Sequence, residues 1–142
     1  MKADEQTAPH ERICRNLARE LEKLVSWKWD GRFSAALAEF AGADSAVIRA
    51  IVERYMPNAW DSVTVAQAPD ATQEIKRLLG GLMPGQLLMC SDEDQEVIVY
   101  SAWWPWGNGQ TISIRISAAS LESFDDRAKS LFVTSLRSCF GV

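Results

Sequence analysis

The chain has 142 residues, with 15 Lys and Arg against 19 Asp and Glu, one His, a net charge of −4 and 47% apolar residues. These values exclude disordered, collagen-like and coiled-coil classes, and the acidic sign argues against a broad nucleic-acid or anionic-membrane footprint, which needs clustered positive charge. Cys14, Cys90 and Cys139 are odd in number, far apart and free of any C-x-x-C pair, so a reducing cytoplasmic setting is expected rather than a disulfide framework or zinc knuckle.

Residues 1–7 are polar and lack the apolar run of a secretory signal. Residues 8–28 read as an amphipathic helix through Ile13, Leu17, Leu21, Leu24 and Val25, with Gly31 as its stop. Residues 33–41 read as a short Ala-rich helix through Phe33, Leu37 and Phe40, broken at Gly42. Asp44 or Ser45 then caps a third helix with Val47, Ile48, Ile51, Val52 and Tyr55 on its apolar face. Residues 62–66 alternate like a strand, and Asp70 to Gln73 open a helix through Ile75, Leu78, Leu79 and Leu82.

Three strands follow. The first covers 86–90, the second 96–104, and the third 111–117 with Ile112, Ile114 and Ile116 inward. The second is apolar on both faces, the pattern of a central strand. Residues 97–114 carry no charge, but Pro105, Gly107, Asn108 and Gly109 interrupt them, so they predict a hairpin and no membrane span. Ser120 or Ser123 caps a closing helix striped by Leu121, Phe124, Ala128, Leu131, Phe132, Leu136 and Phe140.

The expected fold is α+β. Two or three N-terminal helices pack with a β-α-β-β-β-α unit whose sheet is mainly antiparallel with helices on one face. One domain over 1–142 is expected, divided into a helical half, 1–57, and a sheet-containing half, 58–142. Residues 1–54 hold nine acids and nine bases, and residues 55–142 hold ten acids against six bases, so the excess negative charge sits with the sheet half.

Residues 37–51 resemble the helix-turn-helix of bacterial repressors, with Ala38, Gly42, Ile48 and Ile51 at the small, turn and seating positions. The resemblance implies a transcription regulator using residues 33–54. The second helix would present Asp44, Ser45, Ala46, Arg49, Ala50 and Glu53, a set poor in the Arg, Lys, Asn and Gln that read DNA, so nucleic acid is not the expected partner.

A second patch is Trp103, Trp104, Pro105, Trp106, Gly107, Asn108 and Gly109. Successive strand residues face opposite sides, so Trp103 and Trp104 cannot share one core, and Trp106 falls in a Pro/Gly/Asn loop near solvent. Tryptophan is enriched at binding hot spots because it buries a large rigid area and keeps one N–H donor. The third patch, Asp92, Glu93, Asp94 and Glu96, lacks the glycine and spaced glutamate of a calcium loop, so no metal is expected there.

Catalytic patterns are thin. His10 is the lone histidine and lies near the terminus, the three cysteines read as buried thiols, and no phosphate or dinucleotide loop is present. The expectation is a non-catalytic, cofactor-free cytoplasmic module of the inhibitor, immunity-factor, adaptor or chaperone kind. It docks another protein through Trp104, Trp106 and Asn108, with Asp92, Glu93 and Asp94 steering a basic surface. A homodimer is compatible with this reading, and a small-ligand sensor with a pocket between sheet and closing helix is a further alternative.

Overall fold

The structure, a computed structural model, describes residues 8–120 and 126–142. Along the chain come α1 (Pro9–Leu21), β1 (Lys28–Asp30), β2 (Ala35–Ala41), α2 (Ser45–Tyr55), β3 (Asn58–Trp60), α3 (Asp70–Leu78), β4 (Leu87–Cys90), β5 (Val97–Pro105), β6 (Thr111–Ser120) and α4 (Asp126–Phe140). The strands form one antiparallel sheet in the order β1-β2-β6-β5-β4-β3.

Alternation along β5 builds the two layers. Val99 and Trp103 enter a core shared with Cys14, Leu17 and Leu21 of α1, Ile48 and Val52 of α2, and Leu136 and Phe140 of α4. Ile98, Tyr100 and Ala102 enter a second core against Ala71, Ile75 and Leu79 at and just beyond α3. Helices therefore cover both faces, not one. A central strand buried on both sides reads as a near-continuous apolar run, and β5 does so with Ser101 as its small polar exception.

Residues 33–41 are not a helix. Residues 35–41 form β2, with Ala36, Ala38 and Phe40 opposite Ile116, Ile114 and Ile112, and 33–34 belong to the turn before it. Alanine favours helices in isolation, but its small side chain at 36 and 38, both fully buried, also lets the helical layer approach the sheet closely. Tertiary packing overrides local propensity here. The stretch 33–54 is accordingly a strand followed by a helix and not a helix-turn-helix. Gly42 serves another purpose, because its N–H donates to the Gln110 carbonyl at 2.7 Å and a Cβ there would lie 3.2 Å from the Gly109 carbonyl oxygen.

Three further boundaries differ from the pattern. Helix α1 stops at Leu21, and Lys28–Asp30, rich in β-forming aromatic neighbours, forms β1 instead of a helical end. Gly31 lies in the turn between β1 and β2, where Asp30 Oδ1 accepts the Arg32 amide at 3.0 Å. Residues 62–66 are not a strand either. Asp61 Oδ1 accepts the amides of Val63 and Thr64 at 2.9 and 2.8 Å, an Asx turn that leads into the 3₁₀ turn Thr64–Gln67, and the strand falls earlier as β3. With β1 and β2 inside residues 1–57, the sheet spans both halves of the chain. Leu121, Ser123 and Phe124, and the side chains of Ala128 and Leu131, lie outside the described residues.

Both sheet edges, β1 and β3, are three residues long. No helix among the described residues is long and apolar enough to cross a membrane. The tight contact of the helical layer with β2 predicts that Ala38→Leu overpacks the core and costs about 1–3 kcal/mol, read from the urea midpoint. An unchanged midpoint would place residue 38 outside that layer.

Candidate functional site

The hairpin joining β5 to β6 is a folded object. The Trp106 amide donates to the Thr111 carbonyl at 2.8 Å, the Gly109 amide to the Trp106 carbonyl at 3.0 Å, and the Gln110 amide to Asn108 Oδ1 at 2.9 Å. Gly109 supplies the left-handed turn at φ 69°. The Gly42 contact braces the loop from the start of α2. Asn108, expected as a contact residue, is exposed and makes a local turn bond.

The three tryptophans separate by face. Trp103 is 4% exposed and sits edge-on to Phe40, 5.3 Å between centroids, inside the main core. Trp104 points to the opposite face, half-buried, edge-on to Phe33 at 5.5 Å and with the Arg115 guanidinium 4.4 Å above its ring. Its Nε1 is buried and makes no hydrogen bond among the described residues. Trp106 remains 46% exposed, yet its Nε1–H donates to Ser113 Oγ at 2.7 Å. Ser113 stands opposite Trp104 in the β5–β6 register, so both indoles lie on one face of the sheet.

That face is only half covered. α3 packs over its β4–β5 side, while on the β1–β2 side Leu37 is half-exposed and Lys28 and Glu39 are exposed, paired at 2.9 Å. Arg115 anchors the middle. Its Nε donates to Asp30 Oδ2 at 2.7 Å, with the two side chains only 17% and 13% exposed, and its guanidinium lies 5.4 Å from the Phe33 centroid. A cation so held between two aromatic rings and a carboxylate fixes Trp104 and Phe33 relative to each other. Sequence reasoning missed Arg115, Asp30 and Phe33, because 85 residues separate Asp30 from Arg115 and only the register joins them.

The acidic turn is elsewhere. It precedes β5, whereas the tryptophan loop follows it, so about 26 Å of strand separates them at roughly 3.3 Å per residue. Within the turn the acids differ. Glu93 is half-buried and accepts hydrogen bonds from Trp60 Nε1 at 3.0 Å and from the Thr72 hydroxyl, tying β3 and α3 together. Asp92 Oδ1 accepts the Asp94 amide at 3.0 Å, and both of these residues are exposed. Glu93 is therefore a structural tie, in place of the free steering charge expected of it, and the outward charges are Asp92 and Asp94.

Elsewhere, burial pushes the Cys14 thiol far above its usual range and the Cys90 thiol up to about 12, so neither offers thiolate at neutral pH. His10 packs edge-on to Phe132 at 5.4 Å, and burial lowers its pKa. Among the described residues no group of three or more His, Cys, Asp or Glu could hold a metal ion. Compared with known proteins, the chain matches no family model, no curated protein and no solved structure.

Two measurements test this geometry. Burial tends to raise the Asp30 carboxyl, but the Arg115 bond and the Phe33 and Arg32 amides outweigh it and hold the group below the usual carboxylate range. A depressed folded-state pKa contributes stability that is present above the unfolded value, about 3.9, and is lost as pH falls through the folded value. Asp30→Asn is expected to lower the urea midpoint at pH 7 and to flatten its decline below about pH 4, and parallel profiles for both proteins would refute the pairing. Second, Glu93→Lys should destabilise strongly, since it strands the buried Thr72 hydroxyl and the Trp60 N–H, while Asp94→Lys should stay within about 0.5 kcal/mol of wild type in urea.

Proposed function

We propose that this protein is a non-catalytic, cytosolic binding module that docks another protein on the open part of the sheet face around Trp106 and Trp104. The observation that carries the reading is Trp106, an indole nearly half-exposed and yet locked by Ser113 in a braced hairpin. An aromatic ring ordered before binding has little rotamer entropy left to lose, which is the condition under which exposed tryptophan becomes an anchor. The half-exposed Trp104 and Leu37 extend the apolar centre, and the Lys28–Glu39 pair supplies a polar rim.

The acidic turn belongs to this reading only for a large partner. Asp92 and Asp94 stand about 26 Å from the loop by strand length, beyond the screening distance of about 8 Å at physiological salt. Their field acts on a basic surface that reaches the far end of β5, not on contacts at Trp106. A DNA-reading role is not part of the proposal, because residues 35–41 form a strand.

Placing a photo-crosslinking residue at Trp106, with one at exposed Val47 on α2 as the control, tests the proposal in cells that express the protein. A discrete protein adduct at 106 and none at 47 is expected. With that partner purified, Trp106→Ala should weaken binding roughly thirtyfold, about 2 kcal/mol, while shifting stability by about 1 kcal/mol or less for the lost Ser113 bond. Equal adducts at both sites, or unfolding of Trp106→Ala, would overturn the reading.

A further inference from the structure

We propose that the cavity between the end of β6 and α4 binds a small monocarboxylate with a short apolar tail. The cavity exists because β2 ends early. Its last pair with β6 is Ala36 with Ile116, whereas β6 continues beside β5 to the pair Val97 with Ser120. The chain departs at Ser34, whose φ of 50° lies in the left-handed region that residues other than Gly, Asn and Asp seldom adopt. Ser117 Oγ donates to the Ser34 carbonyl at 2.8 Å and holds that departure in place. Strained backbone retained by a specific bond is a feature of binding sites more often than of plain connections.

Where β2 would have continued, a cavity of about 80 Å³ opens. Leu78, Phe132, Val133 and Leu136 give it an apolar wall, and the opposing wall includes Tyr100 and Ser117. The Tyr100 hydroxyl is hydrogen-bonded with Ser117, whose own Oγ–H donates to the Ser34 carbonyl, so both polar groups of this wall are already partnered. Arg32 is the exposed member of the lining, with its guanidinium 5.0 Å from the Phe33 centroid.

Charge selects the ligand class. Among the described residues the lining has one cation, Arg32, and no acid, in a chain whose net charge is −4. Asp30, two residues from Arg32, commits Oδ2 to Arg115 and Oδ1 to backbone amides, so its carboxylate is already engaged. Size restricts the tail. The volume is about half that of the roughly 150 Å³ apolar cavity known to accept benzene, which suits a chain of about three or four carbons with its head turned to Arg32.

This site lies at the opposite end of β5 and β6 from the tryptophan loop, so its test is independent of the docking reading. The full-length protein is titrated with sodium butyrate, with butan-1-ol and sodium sulfate as comparisons, and followed by methyl chemical shifts. Saturable butyrate binding with a roughly millimolar Kd is expected, with shifts centred on Leu78, Val133 and Leu136. Arg32→Gln, at an exposed position, should weaken butyrate about tenfold and leave butan-1-ol unaffected. Val133→Trp, which fills the cavity, should abolish the response to both. No saturable shift, equal butyrate affinity in Arg32→Gln, or displacement of butyrate by sulfate at comparable concentration would overturn the assignment.

Discussion

Because β5 pairs with β6 without interruption from Val97 with Ser120 to Pro105 with Ile112, successive side chains of β5 must enter opposite layers. The two hydrophobic cores follow from that alternation, as does the parting of Trp103 from Trp104. A shift of one residue would drive Trp103 out of the main core and turn Ile98, Tyr100 and Ala102 away from α3. The same register sets Ser113 beneath the Trp106 indole and Arg115 beside Trp104. Core and surface are thus specified by one ladder.

The hairpin loop is held from two directions. Its own turn bonds close it, and Gly42 receives it at the entrance to α2, where a larger residue would press on the Gly109 carbonyl. The exposed indole is therefore mounted on the sheet and on a neighbouring helix together. Arg115 gives the adjoining surface comparable rigidity through Asp30 and two aromatic rings. Such a surface presents a fixed shape, and its recognition rests on complementarity more than on adaptation.

Local pattern was sufficient where burial and periodicity coincided. Ile48 and Val52, Ile75 and Leu79, and the inward row Ile112, Ile114 and Ile116 could be read directly, as could the two-sided burial of β5. β2 could not, because alanine at 35, 36, 38 and 41 conceals a two-residue period beneath a helix-forming composition. β3 is three residues long and has no period to detect. At the candidate site, the loop position of Trp106 was legible, but Glu93 acquires its structural role only when the fold brings Trp60 and Thr72 to it. Charge runs reveal composition, and the burial of one member of a run depends on partners distant in sequence.

The brevity of the two outermost strands bears on how the molecule behaves at high concentration. β1 and β3 each offer a ledge of three residues, and Lys28 and Asp30 place charge along one of them. An incoming chain that paired with either ledge would find few backbone groups to hold it in register. β5, the strand with the most apolar side chains, lies between β4 and β6. Edge-to-edge pairing is thereby disfavoured at β1 and β3, which leaves the aromatic surface of the hairpin to other kinds of contact.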